Sequence, residues 1–318
     1  MKALHGFVLL FILAIGTFGA PATGVSATDY PKKEITLVVG WAAGGGTDLV
    51  ARQVAAIAEK QLGKPIVIQN NPGGAGAVSF QLLSASKPDG YTLAMTTTPL
   101  LLQKYVSTTH VPYKNLTHIA IVNEDPAAVS VPFDSPCKTL QDFVEMVKKN
   151  PGKVRIANAG PGSAWHAMAL RFEAMVGVPV IHVAYQGGNP AAVAAAGGHV
   201  ESTFVSPAEV APLIAGGKVR MLAVASEQRD PNFPDVPTFK EQGLDLVGGV
   251  HRCVSAPKNL PPEILAKLVA AIKFATEQPE YKAFMKTSGL GQRFLAGKEL
   301  DDYLDSLDAT YAKLFQKK

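Results

Sequence analysis

The sequence predicts an α/β protein with parallel sheets covered by helices, divided into two domains. Three observations point there. Strand and helix signals alternate along most of the chain, the order that produces parallel sheets. The length of 318 residues, 47% of them apolar and 18% charged, supports a large core and about two domains. Two stretches echo each other: strand, glycine-rich turn and helix at 35–60, and again at 154–175.

The opening residues are set apart from this pattern. "MKALHGFVLLFILAIGTFGA" has a basic start at Lys2 and an apolar core from Phe7 to Phe18, followed by "PATGVSA" with small residues at Val25-Ser26-Ala27. This is the form of a secretory signal peptide over 1–27, with the mature chain beginning near Thr28 in the periplasm. The apolar run is short for a bilayer span, and no cysteine follows it to carry a lipid.

The mature elements follow in order. "EITLVVG" (34–40) is a buried strand, and Thr47 to Leu62 a helix with Val50, Val54 and Ile57 on one face, ended by Gly63. Strands are expected at 65–69, 91–95, 118–122, 128–132, 154–160, 179–185, 200–205 and 219–225. Helices are expected from "AVSFQLLSAS", and near 140–149, 163–176, 189–197 and 208–215. From Pro261 onward helices dominate, and lacking strands of their own they must return to cover the first domain. Cys137 and Cys253 are compatible with one disulfide in an exported protein or with two separate buried thiols.

The net charge of +4 is mild, and its basic residues are scattered, which excludes a nucleic-acid groove. Enzymatic glycine motifs fit badly. "GGGTDL" has Leu49 where a dinucleotide fingerprint needs glycine, and no lysine where a phosphate-binding loop needs one. Ser163 in "PGSAW" lacks the flanking glycines of a nucleophile elbow. No metal-binding motif or cofactor site is expected.

What the two glycine turns offer is an anion site. Each opens a helix, where backbone N–H groups lack partners and the dipole adds partial positive charge. Glycines remove the Cβ atoms that would hold a ligand away. The first turn supplies Trp41, Ala42, Gly44, Gly45, Gly46, Thr47 and Asp48, with Thr47 or Asp48 as helix cap. The second supplies Gly160, Gly162, Ser163, Trp165 and His166, with Ser163 as cap. Trp41 and Trp165 are the only tryptophans, one in each turn, and would wall a cleft against an apolar body. Thr97, Tyr185 and Ser206 lie at strand ends and are further candidate contacts. Arg252 in "VHRCVSAP" is the only arginine considered for a ligand carboxylate, and a surface or inter-domain ion pair is preferred for it.

The blocks "VVGWAAGGGTDLVARQVA", "NNPGGAG" with "KPDGYTL", "NAGPGSAWH", "VAYQGGNPA" and "DVPTFKEQG" resemble the extracytoplasmic substrate-binding receptors of tripartite tricarboxylate transporters, the Bug family, over essentially the whole mature chain. The resemblance implies a periplasmic-binding-protein fold of the Venus flytrap type, two α/β domains with a ligand cleft and two hinge crossings. It implies a monomeric receptor, no enzyme, that binds a small organic carboxylate through the two turns and delivers it to membrane transporter subunits. Domain 1 is then expected over 28–125 and 227–318, and domain 2 over 126–226, with hinge strands near 127–132 and 220–226. The sequence departs from the usual pattern where "FVSP" replaces an acidic residue near Val205, which favours an aromatic or aliphatic carboxylate over an amino acid. Two other readings use the same residues: a flytrap that feeds a signalling partner, and an exported hydrolase using Ser163 and His166.

Overall fold

The computed structural model describes residues 30–316, so the leader expected at 1–27 lies outside the described residues. The chain runs β1 (Ile35–Val39), α1 (Gly46–Leu62), β2 (Ile66–Asn70), α2 (Ala77–Ser84), β3 (Thr92–Thr97), α3 (Pro99–Val106) and β4 (Leu116–Pro126). It continues through β5 (Ala128–Pro132), α4 (Leu140–Lys149), β6 (Arg155–Asn158), α5 (Ala164–Val176), β7 (Ile181–Ala184), α6 (Gly188–Ala196), β8 (Ser202–Val205), α7 (Pro207–Ala215) and β9 (Val219–Val224). The remaining elements are β10 (Gly249–Pro257), α8 (Pro262–Glu277), α9 (Pro279–Thr287) and α10 (Gly297–Gln316).

Two five-stranded sheets result, in the orders β2-β1-β3-β10-β4 and β7-β6-β8-β5-β9. The two orders are the same pattern used twice. In each, three parallel strands lie on one side, and the glycine-turn strand (β1 or β6) is the middle one of the three. The sheets are mixed rather than wholly parallel. β10 runs antiparallel to β3 and β4, and β5 antiparallel to β8 and β9. The reason is connectivity: β5 and β10 are the strands that arrive from the other lobe, so neither enters its sheet through a helical crossover.

Each sheet has its own core. In the first lobe Leu37, Val50, Val54, Met95 and Val254 pack with Ile264, Leu268 and Tyr281 of the C-terminal helices. In the second, Phe143, Phe172, Phe204 and Phe239 form a cluster of rings. Cys137 belongs to the second core and Cys253 to the first lobe, and both are free thiols. β10 and α3 were not anticipated. The β10 sequence "GVHRCVSAP" mixes charged and apolar residues, yet all nine positions are buried.

The boundary expected at 226/227 does not match the packing. Phe239 and Leu246 belong to the second core, and Val224 pairs with Thr238, so the chain returns to the first lobe only at Gly248–Gly249. There the two paths are bonded together. The Ala127 N–H donates to the Gly248 carbonyl (2.9 Å), the Gly248 N–H to the Ala225 carbonyl (2.9 Å) and the Ala225 N–H to the Ala127 carbonyl (2.7 Å). Gly249 must be glycine, since a Cβ there would lie 1.9 Å from the Asp125 carbonyl oxygen.

Two histidines, His251 buried and His118 partly buried, lie on β10 and β4. His118 Nε2 meets the Tyr113 carbonyl at 3.0 Å, and its Nδ1 meets Ser255 Oγ at 3.0 Å. A carbonyl only accepts, so Nε2 carries a proton. Burial lowers His118 to about 4. Burial, reinforced by the charges of His118, Arg293 and Arg252, lowers His251 to about 3. In the unfolded chain both return toward 6.5. Between these values the unfolded state binds more protons, so stability is full above pH ~6.5 and declines as pH falls below it. The histidine contribution to the melting temperature should therefore be flat from pH 8 to 7 and fall from 6.5 to 5; the raised carboxyl of Glu209 acts in the opposite sense and is common to wild type and variant. His118→Asn should flatten that slope; an unchanged slope would place the titrating groups elsewhere.

Candidate functional site

The first glycine turn is shaped from inside by Asp48. Gly44 has a φ of 80°, and its N–H donates to Asp48 Oδ2 at 2.8 Å. The same oxygen accepts from Arg52 Nε at 2.9 Å, while Oδ1 accepts from Asn70 Nδ2 at 2.8 Å. Asn70 also donates to the Trp41 carbonyl. Burial works against ionisation of Asp48, but the bonds from Arg52, Gly44 and Asn70 outweigh it and hold the carboxyl below the usual carboxylate range. The cap of α1 is Gly45, which offers no side chain. The expectation of a Thr47 or Asp48 cap is corrected: both lie inside the first turn, and Asp48 reaches back to Gly44. The first bond of the helix runs from the Leu49 N–H to the Gly45 carbonyl, so the amides of Gly46, Thr47 and Asp48 have no helical acceptor.

The second turn is built differently. Asn158 Oδ1 accepts from the Gly160 N–H at 2.9 Å, and Gly160 and Gly162 have φ values of 86° and 79°. Ser163 caps α5, its Oγ accepting from the His166 N–H at 3.1 Å. Two further helix starts, Gly187 before α6 and Ser206 before α7, meet the same space.

These four helix entries surround a cleft of about 500 Å³, within the range of small-molecule sites. Its lining includes Trp41 to Thr47 from the first lobe, and Ser163 to Trp165, Gln186 to Pro190, Ser206 and Glu209 from the second. The lobes meet on either side of it. A Cβ on Gly162 would lie 2.9 Å from Val106 Cγ2, and one on Gly289 would lie 3.4 Å from the Ala208 Cβ.

The floor is a buried ion pair. Arg252 on β10 donates through Nη1 to Asp125 Oδ2 and Asn123 Oδ1 of β4, and through Nε to Thr47 Oγ1 at 3.1 Å. Asp125 Oδ1 accepts from Asn123 Nδ2 and from the Gly291 N–H, each at 2.8 Å. The two side chains are 8% and 3% exposed. Arg252 is thus neither a surface ion pair nor an inter-domain one: it is matched inside the first lobe and lies beneath the first turn. Gly46 is bare for this reason, since a Cβ there would sit 2.8 Å from Arg252 Nη2.

Glu209 lies opposite, in the first turn of α7. Its Oε2 accepts from the Ser206 N–H (2.9 Å) and Oγ (3.0 Å). Burial pushes its carboxyl up; the Ser206 bonds and the Arg252 charge oppose this, and the Asp125 charge adds to it.

Of the residues expected from the sequence, Trp41, Ala42, Gly44, Gly45, Gly46, Thr47, Ser163, Trp165 and Ser206 line the cleft. Trp41 is half-buried against the first core, whereas Trp165 is 6% exposed and packs chiefly in the second. Asp48, Thr97, Gly160, Gly162, His166 and Tyr185 are not among the lining. Asp48, Gly160 and Gly162 shape the turns. Thr97 is fully buried in β3, opposite Arg252 in the register. Tyr185 packs on the second core. The His166 ring sits edge-on to His182 at 5.1 Å. The Ser163–His166 contact recorded above is a helix cap made by a backbone N–H, not a nucleophile with its base. Asp125 and Glu209 went unanticipated. The Ser206-Pro-Ala-Glu209 spacing of a capping box could have found Glu209; Asp125 ends an apolar strand and carried no motif.

Comparison with known proteins places this geometry in context. The model of the tripartite tricarboxylate transporter family receptor matches residues 50–306. A UPF0065 protein in the gbd 5′ region of Cupriavidus necator is 36% identical over 270 residues, covering 85% of this chain and 82% of the relative. BugT of Bordetella pertussis is 31% identical over 84% of this chain and 82% of its own. Among solved structures, a TctC solute binding protein from Polaromonas, without ligand, is 35% identical with a TM-score of 0.77, covering 91% of this chain and 100% of that one. MatC of Rhodopseudomonas palustris with bound malate is 28% identical with a TM-score of 0.78, covering 90% and 100%. The R. palustris protein Rpa4515 with adipate is 25% identical with a TM-score of 0.82, covering 91% and 98%.

Removing one partner of the floor ion pair leaves the other buried and charged. Arg252→Met should cost about 3–5 kcal/mol of stability, read as a lower denaturant midpoint with unchanged slope. Adding Asp125→Asn to that variant should recover a substantial part. An unfolding free energy within about 1 kcal/mol of wild type for Arg252→Met, roughly the error of such a measurement, would contradict the network.

Proposed function

Since the chain belongs to the tripartite tricarboxylate transporter receptor family, a family of solute-binding receptors and not enzymes, we propose that it captures a small organic carboxylate between its lobes in the periplasm and presents it to the membrane subunits of such a transporter. The observation that carries this reading is the pairing of two glycine-opened helix entries, one per lobe, in a single cleft. Unpartnered amides at a helix start attract negative charge without a basic side chain. Among the described lining residues Arg252 is the one cation, and Asp125 already neutralises it. The bound malate and adipate of the two Rhodopseudomonas proteins support a carboxylate for this chain as well.

On this reading residues 1–27 direct export and are removed, and the receptor acts as a monomer. The carboxylate rests on the amides of Gly46 and Thr47 on one side and of Ala164 and Trp165 on the other, and its carbon body lies along Trp41. Contacts to both lobes make the liganded state the closed one.

Tryptophan fluorescence, titrated with aliphatic and aromatic mono- and dicarboxylates and their amides, tests this. A carboxylate should change the emission and bind at least about tenfold tighter than its amide, the worth of one charge-assisted hydrogen bond. Gly46→Ala, which drives a methyl toward Arg252, should weaken that binding by a similar factor. An amide that binds as well as its acid would remove the anion site.

A further inference from the structure

The second pole of the cleft is an acidic one. Glu209 lines it, and its two carboxyl oxygens have different surroundings. Oε2 is occupied by both donors of Ser206. Oε1 accepts no hydrogen bond from any described residue and is not sealed from solvent. It rests against Gly188, whose missing Cβ would otherwise lie 2.1 Å from it. That glycine opens α6 and also lines the cleft. Space has therefore been kept for this carboxyl, and one lone-pair face is left open. The one lining cation, Arg252, is held by Asp125, Asn123 and Thr47 and does not pair with Glu209.

Burial raises this carboxyl, and the two Ser206 donors and the Arg252 charge oppose the rise; in its ionised form it repels a second carboxylate and accepts from an O–H or N–H. As the lobes close and water leaves, an unmatched oxygen would lose its hydration; a ligand hydrogen restores a partner, in a charge-assisted bond. We propose that Glu209 is the specificity-determining residue of the cleft, and that its ligand is a carboxylate carrying a hydrogen-bond donor, a hydroxyl or an ammonium, that meets Oε1. This rests on the carboxylate reading above and narrows it. It also reverses the expectation drawn from "FVSP", since an acidic side chain, Glu209 on the first turn of α7, does line the cleft.

The test is calorimetry with matched trios: succinate, malate and aspartate; glutarate, 2-hydroxyglutarate and glutamate; phenylacetate, mandelate and phenylglycine. In at least one trio the donor-bearing acid should bind about tenfold tighter than the plain acid. The preferred member tells hydroxyl from ammonium. Glu209→Met should reduce that preference to under about threefold, chiefly by weakening the donor-bearing acid, while plain dicarboxylates bind tighter because the repelling charge is gone. Glu209→Gln, which retains the capping geometry, should abolish an ammonium preference and spare part of a hydroxyl one, and remains informative should the Met variant fail to fold. Equal affinities throughout each trio would overturn the proposal and leave the carboxylate reading standing. So would plain dicarboxylates that bind best and tighten as pH falls, which would make Glu209 a proton donor. Binding of no acid in any trio, with binding of a neutral solute, would overturn the carboxylate reading itself.

Discussion

The buried pair of Arg252 and Asp125 is the constraint on which the site depends. A turn of three glycines has no side chains of its own: Asp48 sets its shape, and Arg252 ties it to the sheet beneath. Arg252 does this through Thr47, which it ties to β4 by way of Asn123 and Asp125. Every oxygen of Asp125 is matched, with the Gly291 amide completing the set. A buried ion pair meets its desolvation cost only when such additional bonds are in place. The glycines nearby follow from the same packing. Gly46 leaves room for the guanidinium, and Gly291 lets the 289–291 loop approach β4, where a Cβ would come within 1.9 Å of the Glu124 carbonyl oxygen.

The two lobes solve one problem twice. In each, the glycine turn follows the middle of three parallel strands, at their carboxyl ends, where ligands of open α/β sheets bind. In each, the strand received from the other lobe is inserted antiparallel beside this trio. The two chain crossings run side by side, where Ala127, Ala225 and Gly248 are bonded to one another. Rotation about φ and ψ there would change the width of the cleft while leaving both cores intact. Hinges are placed at such element ends.

How much of this was legible in the sequence depended on the kind of signal involved. The βα alternation and both glycine turns follow from local periodicity and backbone freedom, which short windows carry. The Ser163 cap was visible because its hydroxyl acts three residues away. β10 was not, since its partners β3 and β4 lie more than a hundred residues back and its charges suggested exposure. Arg252 was judged by the same habit: an arginine among apolar residues looks superficial until Asp125, 127 residues earlier, is known to be beside it. The boundary at 226/227 failed for a related reason. Residues 233–246 have little secondary structure, and only the burial of Phe239 among Phe172 and Phe204 shows which core they serve.

The way charge is arranged in the cleft bears on how a receptor can both hold and release an anion. An unpaired lysine or arginine in a dry site would bind a carboxylate strongly whether the lobes were open or shut. Here the one lining cation is already neutralised, and what attracts the ligand is divided between helix entries on two bodies. α7 is different, its first turn being filled by Glu209, whose carboxyl also rests against the Gly188 start of α6, so the attraction is concentrated on the sides formed by α1 and α5. On the proposed reading, a ligand would keep only one set of amides when the lobes part, and water would reach both. Affinity is then a property of the closed state rather than of either lobe. Any partner that pulls the crossing open weakens binding without touching the ligand, because occupancy and closure are linked by the same free energy.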